Sequence, residues 1–202
     1  MTMTNWILGA GAAALVLSPV AFAEPTERDV REVLKRDFRA KGQAKMDRME
    51  ADAVQRICTL SRNSPPAEVA KTLESDQMKT IAFPSGSLIG DWKKGESIAW
   101  GGTGMQWNEN PAKPAAGGCY NCHELSPKRT SFGTLGPSLK GFGKVRGSGA
   151  DMQRYVYGKI YNPKAYTACS EMPRFGHSGT LTEAQIKDLV GLLLDPKSPV
   201  NQ

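Results

Sequence analysis

The sequence predicts an all-α domain with long glycine-rich loops folded over a prosthetic group, and three observations carry that reading. Apolar residues recur at helical spacing, and no alternating run of any length marks a strand. Gly133 to Gly149 holds six glycines and a proline, so it is mostly loop. Cys119-Tyr120-Asn121-Cys122-His123 is a C-x-x-C-H pentad, the attachment signature of a c-type haem. Two thiols three residues apart on one helical turn each add across a haem vinyl group. The adjacent His123 then lies under the iron as its proximal ligand. The alternatives are chance, a redox pair, or half of a zinc site. A structural zinc needs four ligands, and the four Cys and two His form no second C-x-x-C. A thioredoxin-like pair needs a βαβ surrounding, and none is visible.

The N-terminus agrees with the pentad. From Trp6 to Leu17 the chain is apolar and small, and it leads to Ala21-Phe22-Ala23. That is an A-x-A cleavage site, so residues 1–23 read as a signal peptide and Glu24 as the new N-terminus. The apolar stretch is shorter than the roughly twenty residues a spanning helix needs, and no membrane span remains after cleavage. Met1 to Asn5 carries no Lys or Arg, which keeps an uncleaved N-terminal anchor as the alternative. Export suits the pentad, because c-type haem is attached on the outer side of the bacterial cytoplasmic membrane. The expected compartment is the periplasm, where disulfides persist.

Cleavage leaves 179 residues with all 26 basic and 20 acidic side chains, enough for one domain with an appendage. Hydrophobic residues make up 40%, enough for a core. The formal charge of +6 is moderate. The compartment excludes nucleic acid, so the charge points to an acidic protein partner or an anionic substrate.

Residues 24–85 read as an N-terminal helical extension. Val30, Val33, Leu34 and Phe38 fall at helical spacing, and Met46, Met49, Ala53, Val54, Ile57 and Leu60 form a second run. Ser64-Pro65-Pro66 breaks that run, and a shorter helix follows around Ala67–Leu73. Such narrow apolar faces dock on something larger, because isolated helices are marginal in water. That partner is the main domain, or in the sharper reading another protein.

Residues 86–202 read as the main domain. Asp91 to Trp100 is helical but interrupted by Gly95. Gly101 to Gly118 is an irregular loop carrying Met105 and Trp107. Asp151 to Tyr161 is helical again, with Met152, Tyr155, Val156 and Ile160 on one side. In the last helix Thr182 and Gln185 form a capping box. Ile186, Leu189, Val190 and Leu193 form the buried stripe, and Asp195-Pro196 ends it.

A second axial ligand of His, Met or Lys, or an open position, implies different chemistry for a c-type haem. Met172 lies 49 residues after His123, before Pro173, in an irregular stretch between two helices. Proline fixes its own φ and pushes the preceding residue towards extended backbone, which presents the thioether sideways. The plain alternative for Met172 is a core gap-filler. His177 is the rival ligand, and Met105 and Met152 are weaker ones.

Gly136-Pro137-Ser138-Leu139 resembles the G-P-x-L segment of class I cytochromes c. The resemblance implies that the Pro137 carbonyl accepts from the His123 ring N–H, as a metal-bound histidine requires. Further segments occur in order: Gly90-Asp91-Trp92-Lys93-Lys94-Gly95-Glu96, Gly117-Gly118 before the pentad, and Gly133 to Leu139. Met172-Pro173-Arg174-Phe175-Gly176, Leu181 to Ile186, and the tail Asp195-Pro196-Lys197-Ser198-Pro199-Val200-Asn201 complete the set. Together they resemble SoxX, the monohaem subunit family of the SoxAX cytochromes of bacterial thiosulfate oxidation, over about residues 88–201.

The resemblance implies a class I cytochrome c-like domain around one covalent haem c, bound through Cys119 and Cys122 with His123 and Met172 on the iron. It implies a heterodimer with a SoxA-type haem subunit, acting as an L-cysteine S-thiosulfotransferase. Such complexes join thiosulfate oxidatively to a cysteine of the SoxYZ carrier. The substrate chemistry belongs to the partner's haem, and this chain relays electrons to a small acceptor cytochrome c. Arg174 is implied to pair with a haem propionate; the alternative is plain surface charge.

Lys128, Arg129, Lys140, Lys144 and Arg146 form either a steering patch or an ordinary solvated face. Cys58 and Cys169 remain. In an oxidising compartment two leftover cysteines form a disulfide, closing a loop worth about 4–5 kcal/mol in the chain-entropy account. The sharper alternatives are a Cys169 that swaps with Met172, or a thiol that reacts with sulfur species. Three functional classes therefore stand: a relay subunit of a sulfur-oxidising enzyme, a free-standing electron carrier, and a ligand sensor or peroxidase-like protein with an open iron.

Overall fold

The computed structural model describes residues 24–202; the proposed signal peptide, residues 1–23, lies outside the described residues. The described residues divide into two units, 24–38 and 39–202. In the smaller unit, α1 (Glu27–Asp37) opens on a reciprocal cap. The Thr26 hydroxyl accepts from the Asp29 N–H at 3.3 Å, and the Asp29 carboxylate accepts from the Thr26 N–H at 2.8 Å. No residue of α1 is buried.

The larger unit begins well before the boundary expected at residue 85. After a tight turn in which Lys41 and Ala44 exchange backbone hydrogen bonds, the chain forms a 3-10 turn, Met46–Met49. Then come α2 (Ala53–Leu60) and α3 (Ala67–Lys79). The single run expected from Met46 to Leu60 is split because Asp52 caps α2, accepting from the Gln55 N–H at 2.9 Å. α3 extends six residues past the expected Leu73. Residues 39–85 belong to the larger unit because they are packed into it. Val54, Cys58 and Leu73 close a small apolar cluster with Ala168, and Ile81 joins the main core.

The main core is built on α4 (Trp92–Trp100), α6 (Ala150–Tyr161) and α7 (Glu183–Leu194). α7 opens on the expected Thr182–Gln185 capping box and buries the expected stripe, with Leu192 and Leu194 buried as well. α4 and α7 are the principal helix pair. Gly95 does not interrupt α4: it lets the two backbones meet. A Cβ there would lie 2.1 Å from the Asp188 carbonyl oxygen. The segment before α4 is tied to the same turn of α7, with the Gly90 N–H donating to the Lys187 carbonyl at 2.8 Å.

A short helix, α5 (Phe142–Arg146), stands where the glycine content predicted loop. The buried Asn201 side chain organises it. Its Oδ1 accepts from the Gly143 and Lys144 N–H groups at 2.9 and 3.3 Å, while its Nδ2 donates to the Leu193 and Asp195 carbonyls at 3.0 and 2.9 Å. No strand occurs among the described residues, only the isolated bridge between Lys41 and Ala44. Among the described residues the fold is all-α, with α4 packed on α7 and the pentad turn following α4.

Candidate functional site

The pentad is fixed to the end of α4 before it begins. The Gly117 N–H donates to the Ile98 carbonyl at 2.9 Å, and the Gly118 N–H donates to the Gly101 carbonyl at 2.5 Å. Gly118 has φ +58°, the left-handed conformation that starts the turn at little cost only for glycine. Cys119–Asn121 then form a 3-10 turn, and the His123 N–H closes onto the Cys119 carbonyl at 2.9 Å. Cys119, Cys122 and His123 thus share one turn. Behind it the Trp100 ring meets buried Tyr120 edge-on at 5.5 Å, and the Arg129 guanidinium lies 4.0 Å over Trp100. Arg129, weighed above between a steering patch and a solvated face, is engaged by an aromatic face.

The segment 133–139 runs along the pentad and is hydrogen-bonded to it. Gly133 donates to the Tyr120 carbonyl at 2.8 Å, Gly136 to Cys122 at 2.8 Å and Leu139 to Glu124 at 2.7 Å. Two glycines are needed for this approach. A Cβ on Gly133 would sit 1.9 Å from the Asn121 carbonyl oxygen, and one on Gly136 2.2 Å from Cε1 of His123. The ring of His123 therefore rests on the backbone of Gly136. Its Nδ1 lies 2.8 Å from the Pro137 carbonyl oxygen. A carbonyl only accepts, so Nδ1 carries the proton and Nε2 keeps its lone pair for a metal. The importance of Gly136 escapes sequence reading, because a G-P pair alone signals only a turn.

Neither pentad cysteine is in a disulfide. Cys119 packs against the main core, and burial pushes its thiol up to about 12. A redox C-x-x-C pair needs a lowered thiol, so this environment opposes that alternative. Among the described residues no three of His, Cys, Asp and Glu are grouped as a metal site, so zinc lacks its further ligands. Two cysteines on one turn, with an oriented imidazole beside them, fit a covalently attached haem.

Met172 is half-buried against the same main core, in the stretch between α6 and α7. Its N–H donates to the Ser170 hydroxyl at 3.3 Å. Gly176 closes the stretch: its N–H donates to the Tyr161 carbonyl at 3.1 Å, and a Cβ there would lie 2.2 Å from the Tyr161 ring. Of the other sulfur and imidazole groups, Met105 is exposed and Met152 packs on the core. His177 is exposed; partial burial and the Arg174 guanidinium hold its ring below the usual value, with Asp52 opposing.

Cys58 and Cys169 are joined by a disulfide with Cα atoms 5.5 Å apart. Arg174 is not a free surface charge. Its side chain is 14% exposed, and Nη1 lies 2.6 Å from Asp52 Oδ2, an ion-pair contact in which no N–H of Nη1 is aligned on the carboxylate. Burial raises the Asp52 carboxyl, but the Gln55 N–H and Arg174 outweigh that and hold it below its usual value.

No family model matches the chain. A protein of Aquifex aeolicus (strain VF5) described as an uncharacterized lipoprotein is 37% identical over 156 residues, covering 75% of this chain and 73% of that one. The chain belongs to the family of that protein. Within solved structures, this family member is similar to SoxXA from P. pantotrophus, with 24% identity, 58% of this chain and 89% of that chain covered, and a TM-score of 0.40. No helix among the described residues is long and apolar enough to cross a membrane.

Proposed function

We propose that this chain is an electron-transfer cytochrome with one haem c, the relay subunit of a SoxAX-type L-cysteine S-thiosulfotransferase. The observation that carries this is the His123 ring, held by the Pro137 carbonyl at 2.8 Å on the same turn as two cysteines that are in no disulfide. The haem, when bound, supplies a one-electron couple. Cys119 and Cys122 would tether it, and the Pro137 carbonyl fixes the His123 tautomer that would leave Nε2 to bind the metal. Met172, on a half-buried loop, would supply the second ligand; it would then keep substrate from the metal, and a thioether would raise the potential. Arg174 stays beside Asp52 and is available to a propionate through its remaining N–H groups.

The wider role rests on the ordered segments around Trp92, Pro137, Met172, Thr182 and Asn201. By that likeness the chain pairs with a SoxA-type haem subunit as a heterodimer. It takes electrons released when thiosulfate is coupled to a SoxYZ carrier cysteine and passes them to a small cytochrome c. The setting is the periplasm. Ala21-Phe22-Ala23 provides the cleavage site, and the Cys58–Cys169 disulfide suits that compartment. The relative's description as a lipoprotein agrees with an extracytoplasmic place.

The test is a pull-down on a C-terminal tag from thiosulfate-grown cells of the native host. A stoichiometric haem-containing partner, with thiosulfate-dependent haem reduction once SoxYZ is added, is the expected result. A lone His/Met monohaem protein indifferent to thiosulfate would instead be a free-standing electron carrier. Carbon monoxide binding by the reduced protein would mark an open iron and contradict Met172 as ligand.

A further inference from the structure

The loop that carries Met172 is held from a segment far earlier in the chain. Cys58 of α2 is bonded to Cys169, 111 residues on. Asn63 Nδ2 donates to Glu171 Oε1 at 2.6 Å, and Asp52 Oδ2 lies 2.6 Å from Arg174 Nη1. These attachments fall three residues before, one before and two after Met172, so residues 52–63 grip the loop on both sides. Two further groups act in the same sense. Glu74 of α3 accepts from the Ala168 N–H at 3.0 Å, and buried Lys164 donates its Nζ to the Ser170 carbonyl at 3.0 Å.

The backbone of the gripping segment is shaped for this. Arg62 and Asn63 take φ values of +49° and +60°, two successive left-handed residues without a glycine. Such conformations are unfavourable for residues other than glycine and persist only where the surroundings impose them. Here they turn the chain at the end of α2 so that Asn63 reaches Glu171, while its N–H returns to the Cys58 carbonyl at 2.7 Å. The loop itself has no regular structure between Ser170 and Pro173. Segments of that kind open locally at low cost unless anchored. A thioether carries no charge to draw it to a metal, so its delivery depends on the backbone that presents it.

We propose that Asp52, Cys58 and Asn63 are positioning residues for Met172, clamping its loop from both sides; this rests on Met172 being the second axial ligand. The clamp sets how often the thioether leaves the iron. Its loss opens the sixth position without removing the ligand.

The test uses the holoprotein, well below its unfolding midpoint. It compares wild type, Asp52→Asn, the double variant Cys58→Ala/Cys169→Ala, Met172→Leu and, as a control on the exposed side of α2, Leu60→Ser. Replacing both cysteines leaves no free thiol to reach the iron. Two readouts are taken: the thioether-to-iron(III) charge-transfer absorption of the oxidised protein, and the rate at which the reduced protein binds carbon monoxide.

Asp52→Asn and the double cysteine variant are expected to bind carbon monoxide at least about tenfold faster than wild type, or about 1.4 kcal/mol in the cost of opening. Leu60→Ser is expected to match wild type. Wild-type rates in both clamp variants would overturn the clamp. If the double variant does not fold, Asp52→Asn still decides, since asparagine caps α2 as well as aspartate does. Met172→Leu separates the two levels. If it retains the charge-transfer absorption, Met172 is not the ligand and the clamp has nothing to position. If it loses the absorption while the clamp variants behave as wild type, the ligand stands and only the clamp falls.

Discussion

A Cβ on Gly136 would lie 2.2 Å from Cε1 of His123. The imidazole is therefore seated on bare backbone, and the next residue supplies the carbonyl that fixes its tautomer. Gly136→Ala must move either the ring or the segment 133–139, and either movement lengthens the bond to Pro137. Overpacking of this kind costs about 1–3 kcal/mol. The expected outcome is a lower unfolding midpoint, by about 2–4 °C for each kcal/mol, and a reduced yield of haem-bearing protein. Differential calorimetry and haem quantitation per polypeptide check it.

Gly95 offers the opposite of the usual helix rule. Alanine in place of glycine normally stabilises a helix by about 1 kcal/mol. At Gly95 the new Cβ would meet the Asp188 carbonyl oxygen at 2.1 Å and Leu192 Cβ at 3.0 Å, and the first of these is backbone. Gly95→Ala is therefore expected to destabilise, by about 1–3 kcal/mol. Urea unfolding of the variant gives the sign directly.

Asn201 is buried at the end of the chain and connects α5 to the end of α7 through four backbone groups. Asn201→Ala leaves those groups without that partner in a partly buried site. An unmet buried group costs about 1–3 kcal/mol, so a loss of about 2–4 kcal/mol is expected. The guanidinium midpoint should fall while the slope of the transition stays unchanged.

The Asp52–Arg174 contact gives a pH dependence of definite sign. The Asp52 carboxyl is held below its usual value in the folded chain. A depressed carboxyl contributes stability that is present above its unfolded pKa and lost as pH falls through the folded one. Asp52→Asn should remove that part of the acid sensitivity and converge with wild type in strongly acidic solution. Unfolding midpoints of both proteins, followed from neutral pH downward, check this.

What was legible in the sequence was local. Thr182, Gln185 and the stripe Ile186, Leu189, Val190 and Leu193 place α7 without reference to anything outside it. The pentad likewise announces its thiols and its imidazole within five residues. What escaped depends on partners distant in sequence. Gly95 reads as an interruption until Asp188, on another helix, explains it. Arg174 reads as surface charge or a propionate partner, and its contact with Asp52, distant in sequence, is not legible there. Residues 24–85 read as an extension whose narrow apolar faces dock on something larger, but the sequence does not show on what; Val54, Cys58 and Leu73 bury theirs against Ala168. α5 was hidden by its glycines, since its order comes from Asn201 rather than from its own residues.

The most direct test of the central claim is the intact mass of the exported protein isolated from its native host. A mass increased by one haem, with Cys119 and Cys122 unreactive towards thiol reagents after denaturation, is the predicted result. An unmodified polypeptide in which both cysteines titrate as free thiols would contradict it.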